Sequence, residues 1–453
     1  MKKRKLLDLS ATQIIMLSFL AVILIGSLLL MLPFSHADGK AVSYADALFI
    51  STSAVCVTGI EVQSTATTWS FFGQAVILIL MQIGGLGVVT ILAGIMISLH
   101  QKISLKNRVI LQDSFNLTSL AGLIKFTKQV LIGTVLAEGI GAALFMFVFM
   151  PRYGAKGIWY AVFHSVSSFC NAGLVIFSDS GMADYASHPF MNIVTSALVI
   201  LGGLGFLVWW DILRVLKLFS RQKMKCFRLL TLHSKIVLSS TALLLVSGMV
   251  LYFIFEQGNP ETLARRPFSE QLLAVFFQSA NTRASGFSTL PQENFTNASS
   301  ILTLILMFVG GSPVGTAGGI KTTTFIVLAA TMMAAVLHQN NVVLFNRTIS
   351  KGTVTKAIAV ASLSLVTLFL SAISLACVSD APLSEIILEA AGASTTVGMT
   401  NFITSDLNFA GRMILIFSMY FGRIGPISLV VALNLRKDNP NIVKHPHEEI
   451  SVG

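Results

Sequence analysis

Long apolar runs are the feature that most constrains the fold of this chain. Residues 11–34 carry no charged side chain, and seven further long apolar runs follow, at 71–99, 127–150, 190–218, 233–256, 301–337, 355–378 and 409–435. A hydrocarbon core of roughly 30 Å is crossed by about 20 helical residues. With 54% hydrophobic and 11% charged residues, the sequence predicts an all-α integral membrane protein with eight transmembrane helices. The first run is too long to be the apolar part of a signal peptide.

Four glycines recur at nearly constant spacing. Gly59, Gly173, Gly286 and Gly398 are separated by 114, 113 and 112 residues. The short apolar run before the first of them, at 44–54, is about half as long as a membrane-spanning helix must be. A run of that length has to enter and leave the membrane on the same side. The sequence therefore predicts four re-entrant half-helices, one before each glycine.

A glycine cluster also follows each of these positions, on the next apolar run. The clusters are Gly84, Gly85 and Gly87; Gly202, Gly203 and Gly205; Gly310, Gly311 and Gly315; and Gly422 and Gly425. Close helix packing explains any single glycine-rich helix, but it does not explain four glycines at regular spacing. We therefore divide the chain into four repeats, 1–99, 100–218, 219–337 and 338–453. The second begins with a cytoplasmic loop, the third contains an intramembrane loop, and the fourth ends in a cytoplasmic tail.

Each predicted repeat crosses the membrane twice, so all four enter it in the same direction. They can then be arranged about one axis normal to the membrane, with fourfold pseudo-symmetry around a central pore. Irregular backbone at membrane depth is tolerated only where it is buried in protein or lines a water-filled cavity, which places the glycine turns at the pore. Carriers with inverted repeats need an odd number of crossings per repeat. The even number predicted here favours a pore.

Basic residues set the expected orientation. Apart from Lys321 and Arg423, 22 of them lie on the side of the termini and of the loops between repeats, whereas seven lie on the opposite side. The positive-inside rule then predicts that both termini are cytoplasmic. This bias explains the net charge of +11 without a nucleic-acid surface. The basic segments 100–130, 213–235 and 338–356 are candidate docking surfaces for a separate cytosolic chain.

The four glycine turns suit a cation filter built from backbone carbonyls, which replace the hydration shell of the ion. Glycine reaches positive φ without a Cβ penalty, and each half-helix directs the negative end of its dipole at the ion. The side chains differ between the turns and include no carboxylate. The predicted coordinating backbone belongs to Val57, Thr58 and Gly59; Asn171, Ala172 and Gly173; Ala284, Ser285 and Gly286; and Thr396, Val397 and Gly398.

A gate is predicted in the third repeat, where glycine and proline interrupt an apolar run. In a helix interior, glycine costs about 1 kcal/mol and proline about 3 kcal/mol relative to alanine, so this stretch should break into a loop; tight helix packing is the alternative. The predicted gate residues are Gly310, Gly311, Ser312, Pro313, Gly315, Gly318 and Gly319.

Three basic residues lie within or beside the predicted spans. A buried arginine usually faces a cavity or a partner. We interpret Arg423 as a fixed positive charge near the pore that couples to the gate, although bonds to backbone carbonyls would also explain it. Lys321 is a further gate candidate that could equally reach the cytoplasmic interface. Arg283 is expected to anchor local backbone or an acidic side chain.

Enzymatic and metal-binding motifs are weak in this sequence. The segment "GTAGGIKT" resembles a phosphate loop, but Ile320 stands before Lys321 where that motif has glycine. His164 and the histidines at 445 and 447 are expected to be ordinary polar residues. The four cysteines are widely spaced and indicate neither a disulfide framework nor a zinc site. We therefore expect no enzyme, no transition-metal site and no cofactor in this chain.

The segments "SAVCVTG", "FCNAG", "NTRASGF" and "ASTTVG" resemble the four filter segments of the Trk/Ktr/HKT superfamily of potassium transporters. "SPVGTAGGIKTTTF" and "GRIGP" resemble its Ktr-type membrane subunits, the ion-translocating components. The resemblance implies K⁺ uptake across a bacterial plasma membrane by a homodimer, each protomer with its own pore. It also implies control by a cytosolic ring of RCK type that carries the nucleotide. In that superfamily a serine at the first filter glycine goes with sodium selectivity, so Gly59 is the potassium-type residue.

Two other functions remain open from the sequence. One is a sodium-coupled or sodium-permeable cation carrier on the same scaffold. The other is a membrane scaffold or enzyme whose repeats bind only lipid or a partner. Ion flux through the purified protein, measured with K⁺ and with competing Na⁺, distinguishes the three.

Overall fold

The computed structural model describes residues 10–37, 42–99, 101, 103–115, 122–222, 226–401 and 403–425. Its helices of ten or more residues are α1 (Ala11–Leu30), α2 (Tyr44–Cys56), α3 (Phe71–Leu86), α4 (Val88–Ser98), α5 (Leu105–Ser114), α6 (Leu123–Tyr153), α7 (Lys156–Cys170), α8 (Pro189–Leu204), α9 (Phe206–Gln222), α10 (Leu232–Glu256), α11 (Phe268–Thr282), α12 (Asn297–Phe308), α13 (Thr322–Val336), α14 (Lys351–Ala376), α15 (Leu383–Ser394) and α16 (Phe409–Ile424). A hairpin of two short antiparallel strands, β1 (Val343–Leu344) and β2 (Arg347–Thr348), precedes α14. The predicted cytoplasmic tail lies outside the described residues.

Polar caps fix where the apolar helices begin. Ser10 accepts a hydrogen bond from the amide of Gln13, whose side chain in turn accepts from the Ser10 amide, so α1 starts with a capping box. Ser43 and Asp46 form the same arrangement at the start of α2. Because these residues satisfy amides that the first turn leaves free, each helix starts at a defined residue.

The predicted half-helices are confirmed as short helices before the four glycines. α2, α7, α11 and α15 contain 13, 15, 15 and 12 residues. Their C-terminal halves are almost wholly buried, whereas the long helices carry exposed apolar side chains. On α6, for example, Val135 and Phe147 are 67% and 75% exposed. Exposed side chains of this kind fit a lipid environment, so the long helices surround the half-helices.

A serine anchors three of the half-helices to the helix that precedes it. Ser51 Oγ donates to the Ile23 carbonyl at 2.7 Å, and Gly26 leaves room for the close approach. The equivalent contacts are Ser165 to Glu138 at 2.7 Å beside Gly141, and Ser279 to Leu245 at 2.8 Å beside Gly248. The glycine lies three residues after the accepting carbonyl each time. Sequence reasoning missed this recurrence, although the periodic glycines signal it.

Two of the predicted spans are sharply bent and are not straight helices. The run 71–99 bends by 97° between α3 and α4, and the run 190–218 bends by 98° between α8 and α9. Gly87 and Gly205 occupy the breaks, with φ/ψ of 84°/136° and 85°/139°. This is a conformation that L side chains rarely adopt. Gly425, at the end of α16, has φ 88° and ψ 136°. The fourth glycine cluster therefore has the same local geometry as the first two.

Length and composition support four of the eight predicted spans, or up to six if each bent pair is one span, within the described ranges. Four helices, α1, α6, α10 and α14, are individually long and apolar enough to cross a membrane, and the two bent pairs raise the number to six within the described ranges. The predicted span 301–337 is divided into α12 and α13 by a loop. The last, 409–435, is described only as far as Gly425.

An ion pair joins the first half-helix to the last long helix. Arg412 Nη1 lies 2.6 Å from Asp46 Oδ1, and the two side chains are 22% and 11% exposed. Residues 366 positions apart in the chain are therefore held together, which ties the beginning of the described fold to its end.

Removing this ion pair is expected to lower thermal stability. Arg412→Gln leaves a partly buried carboxylate without its cation, for which we expect a loss of about 1–3 kcal/mol and a fall in the midpoint of thermal unfolding. Arg265→Gln, at an exposed position, is the matched control. The double variant Asp46→Asn, Arg412→Gln should lose less than the sum of the single variants. Strict additivity of the single effects would contradict a coupling between the two side chains.

Candidate functional site

The four predicted filter turns come together in the structure. Gly59, Gly173, Gly286 and Gly398 have φ of 89°, 73°, 70° and 79°. All four therefore adopt the positive-φ conformation that the sequence predicted for them.

The turns contact one another in a closed ring. A Cβ built on Gly59 would lie 2.5 Å from the carbonyl oxygen of Ala172, which precedes the next glycine. The same clash recurs at each of the others, in the order Gly173 on Ser285, Gly286 on Val397, and Gly398 on Thr58. Each glycine therefore packs against the carbonyl that precedes the next glycine, and the fourth turn closes on the first.

The carbonyl groups of these turns are free to act as ligands. Thr58 N and Ala172 N donate back into their own half-helices, to the carbonyls of Ser53 and Ser167, each at 2.8 Å. Within the described part of the chain, no carbonyl oxygen of the twelve predicted filter residues accepts a hydrogen bond. A ring of unpaired carbonyls at the C-terminal ends of half-helices provides cation ligands and a favourable dipole direction.

Non-glycine residues also adopt the left-handed conformation here. Val57, Asn171 and Thr396, each two positions before a filter glycine, have φ of 57°, 62° and 52°. Asparagine tolerates this region, but a β-branched residue there is unusual. In the third turn the half-helix is instead followed by Arg283 with φ −78°, and no residue other than Gly286 has positive φ there. Sequence reasoning missed this difference, because Val57 gives no signal for such a backbone.

The predicted gate is a loop, as the glycines and Pro313 indicated. The chain leaves α12 at Phe308 and re-enters a helix at Thr322. Val309 and Ile320 form a β-bridge at its neck, and Gly310 lies directly against the backbone of Gly318 and Gly319. The loop is therefore closed at its base while its tip, around Pro313 to Gly315, extends away from α12.

The tip of the loop contacts the break between α8 and α9. Ser312 N donates to the Gly203 carbonyl at 2.9 Å, and Thr316 N donates to the Gly202 carbonyl at 3.1 Å. In return, Phe206 N donates to the Val314 carbonyl at 3.0 Å. The helix break thus provides the backbone groups that hold the loop.

The loop also contacts two of the filter half-helices. Thr316 Oγ1 donates to the Phe169 carbonyl at 3.0 Å and accepts from Asn171 Nδ2 at 2.6 Å. Gly318 packs against Thr395 and Thr396, leaving no space for a Cβ. The loop therefore lies against the inner ends of the second and fourth filter turns.

Arg423 joins this loop to the first repeat. Its Nη1 donates to the Thr316 carbonyl at 2.7 Å, and its Nη2 donates to the carbonyls of Gly84 at 2.5 Å and Gly85 at 3.2 Å. No carboxylate pairs with it within the described ranges. Arg423 therefore contacts the predicted gate loop, and it does so through a backbone carbonyl.

Of the other two basic candidates, Lys321 adopts one of its two predicted alternatives, contact with the loop, whereas Arg283 differs from expectation. Lys321 does not reach outward, because its Nζ donates to the Ala317 carbonyl of the loop at 2.7 Å. Arg283 is 5% exposed, and within the described residues it has neither the acidic partner nor the backbone acceptor that the sequence predicted. It lines a small cavity together with Gly203 and Gly311.

The remaining polar candidates have structural roles. His164 is buried and its Nε2 lies 3.0 Å from Thr195 Oγ1. Within the described ranges, no group of three or more His, Cys, Asp or Glu side chains could hold a metal ion. The ring of carbonyls and the loop against it therefore remain the site with a distinct geometry.

A multi-pass helical membrane protein whose half-helices end at a ring of unpaired carbonyls has the construction of proteins that carry cations across membranes. The family model described as TrkH, cation transport protein, matches residues 6–445. The chain belongs to this family, and it is an ion transporter and not an enzyme.

Its relatives include named uptake proteins. The potassium/sodium uptake protein NtpJ of Enterococcus hirae is 38% identical over 100% of this chain and 99% of its own length. The Ktr system potassium uptake protein B of Bacillus subtilis is 35% identical over 97% of this chain and 96% of its own length. The solved structure of the potassium transporter TrkH from Vibrio parahaemolyticus has a TM-score of 0.74 at 17% identity, covering 96% of this chain and 87% of that one; it shows the likeness of the fold.

Proposed function

We propose that this chain is the membrane subunit of a potassium uptake system and conducts dehydrated K⁺ through a channel-like pore. The observation that carries the proposal is the closed ring of glycine turns, in which each glycine packs against the carbonyl that precedes the next one. Such a ring presents stacked carbonyl groups to an ion on its axis. The four repeats, 1–99, 100–218, 219–337 and 338–453, then surround this axis with fourfold pseudo-symmetry, as eight spans and four half-helices.

In this proposal the loop 310–319 is the gate. It contacts the second and fourth filter turns, and Arg423 links it to Gly84 and Gly85. Because Arg423 brings a positive charge to the inner side of the filter, it raises the barrier to a cation while the loop is in place. Lys321 bonds to the loop from the other end and adds a second positive charge.

We further propose that a cytosolic nucleotide-binding ring of RCK type controls the gate and that the subunit is a homodimer in a bacterial plasma membrane with both termini cytoplasmic. The relatives named as components of Ktr systems support a multi-component assembly. This chain itself then needs no cofactor, since the nucleotide binds to the ring.

A sodium-coupled or sodium-permeable carrier is the second candidate. The relative with 38% identity is named a potassium/sodium uptake protein, and this supports Na⁺ as a further ion. A ring of carbonyls could bind either ion, so the ratio of K⁺ flux to Na⁺ flux distinguishes the two candidates.

Flux through purified protein in liposomes tests the proposal. Vesicles with a K⁺ gradient should show K⁺ uptake that added Na⁺ scarcely inhibits, and the rate should change when a candidate cytosolic ring and its nucleotide are added. Vesicles without protein are the control. Absence of any ion flux would overturn both candidates, whereas equal K⁺ and Na⁺ fluxes would replace the first candidate with the second.

External pH provides a separate test at the outer mouth. Glu61 lies two residues beyond Gly59 and accepts hydrogen bonds from the amide, at 2.8 Å, and the hydroxyl of Thr65. Burial, with a smaller contribution from Asp179, raises the pKa of Glu61 to about 7. Above that pH the carboxylate is ionised and attracts cations; below it the carboxyl is neutral.

We therefore expect K⁺ uptake at limiting K⁺ to fall a few-fold as external pH is lowered through about 7. Glu61→Gln should give the low-pH rate throughout and flatten this part of the profile. Glu293→Gln, at an exposed carboxylate on another segment, is the control. A variant whose pH profile matches that of the wild type would exclude Glu61 as the titrating group.

A further inference from the structure

A groove between α9 and the start of α10 is not used by the filter or the gate. It has a volume of about 420 Å³ and opens beside Trp210, Arg214 and His233. It lies on the face that the basic residues assign to the cytoplasm. One wall of the groove is formed by α9 and the other by the start of α10.

Unpaired hydrogen-bonding groups line this groove. The indole Nε1 of Trp210 and the Nε2 of His233 are buried and have no hydrogen-bond partner. A buried N–H without an acceptor costs about 1–3 kcal/mol. The indole N–H can only donate, so an acceptor in the groove would satisfy Trp210 on α9, and His233 on α10 offers a second polar group on the other side.

The carboxylate in the groove is already neutralised by its own neighbours. Asp211 Oδ1 accepts from Arg214 at 2.6 Å, and Oδ2 accepts from the amide and hydroxyl of Thr231 at 2.8 and 2.9 Å. It is the single acidic residue in the stretch 206–240, which contains seven lysines and arginines. The groove is therefore formed by a stretch of the chain with a net positive charge, and Arg214 is part of its lining, which favours an anion.

α9 has the character of a helix that lies in the membrane interface. It leaves the direction of α8 at 98°, so it runs across the spanning helices. Leu213 and Leu216 are 44% and 57% exposed, next to the exposed Arg214 and Lys217. A helix with exposed leucines beside basic side chains binds the boundary between headgroups and acyl chains, especially of anionic lipids.

We propose that this groove binds the headgroup phosphate of an anionic phospholipid, with the acyl chains lying along the exposed leucines of α9. Arg214 and the indole N–H of Trp210 donate to the phosphate, which accepts through its oxygens. Leu207, which also lines the groove, lies two residues beyond the helix break at Gly205, so the occupant of the groove holds α9 where Phe206 N contacts the Val314 carbonyl of the loop. The binding itself is independent of the proposed function; an effect on flux rests on it.

Lipid binding to the purified full-length protein tests the site. Native mass spectrometry with phosphatidylglycerol and phosphatidylcholine should show tighter retention of phosphatidylglycerol. Trp210→Phe removes the indole N–H but keeps an aromatic ring, and it should weaken retention a few-fold; Arg214→Gln should weaken it about tenfold, the effect of about 1.4 kcal/mol. Arg347→Gln, which removes an equal charge from the exposed hairpin, should leave it unchanged.

The outcomes separate the possible occupants. Equal retention of the two lipids, or unchanged phosphatidylglycerol binding in Trp210→Phe and Arg214→Gln, would overturn the proposal. Displacement of phosphatidylglycerol by millimolar inorganic phosphate would also overturn it, since the site would then bind free phosphate. If Arg214→Gln proves unstable, phosphatidylglycerol retention by Trp210→Phe alone tests the proposal. If a variant loses lipid retention but keeps its K⁺ flux, the groove still binds lipid in the wild type, and only the proposed link between the lipid and the gate is overturned.

Discussion

Gly59→Ser is expected to lower the preference for K⁺ over Na⁺ by about tenfold or more, which corresponds to about 1.4 kcal/mol of selectivity. At Gly59 φ is 89°, and a Cβ would lie 2.5 Å from the Ala172 carbonyl oxygen. A non-glycine residue held in such a conformation costs about 1–3 kcal/mol. The turn must therefore shift, and the carbonyls on both sides of the contact move with it. The measurement is the ratio of K⁺ to Na⁺ flux in liposomes.

The control for this substitution is a serine at a glycine with open space. Gly352, in the first turn of α14, has nothing within 4 Å of an added Cβ and no positive φ. Gly352→Ser should retain wild-type selectivity and stability. Unchanged selectivity in a folded Gly59→Ser protein would show that Gly59 does not contribute to the filter.

Deleting the tip of the loop is expected to raise flux through the isolated subunit about tenfold or more. Removal of residues 312–317 joins Gly311 to Gly318, where the backbone of the loop neck is already close. The deletion removes the contacts of Ser312 and Thr316 with the α8–α9 break, and it releases Arg423 from the Thr316 carbonyl. A hydrogen bond from a charged group contributes about 1.5–3 kcal/mol, so the loss of that bond alone accounts for a tenfold effect.

A deletion of equal length elsewhere controls for general damage. Residues 343–348 form the exposed hairpin before α14, away from the filter turns. Their removal should leave the flux of the isolated subunit unchanged. Unaltered or reduced flux after deletion of 312–317, in protein that unfolds at the wild-type temperature, would reject the loop as a gate.

The short helices and the turns that follow them could be predicted because they depend on local chemistry. A run too short to span the membrane and a glycine at fixed spacing specify a half-helix and a positive-φ turn at Gly59, Gly173, Gly286 and Gly398. The loop was predictable for the same reason, since the density of glycine and Pro313 excludes a helix. In each case the residue type itself restricts the backbone.

What could not be predicted depends on contacts between repeats. The bends at Gly87 and Gly205 lie in runs that remain apolar on both sides, so hydropathy alone gives one continuous span. The Gly205 bend is stabilised by Phe206 N and the Val314 carbonyl, 108 residues later. Arg283 differs from expectation for the same reason, because the backbone around it is set by the folded turn and not by neighbouring sequence.

The closed ring of turns also determines the stage of chain synthesis at which the ring can form. The first turn receives contacts from the second through Gly59 and Ala172, but its other side is completed only by Gly398 of the last repeat. The ion pair between Asp46 and Arg412 likewise needs a residue from α16. A chain that has inserted only the first three glycine turns therefore has an open ring with one side missing. The ribosome must finish almost the whole polypeptide before the first turn acquires its final neighbours.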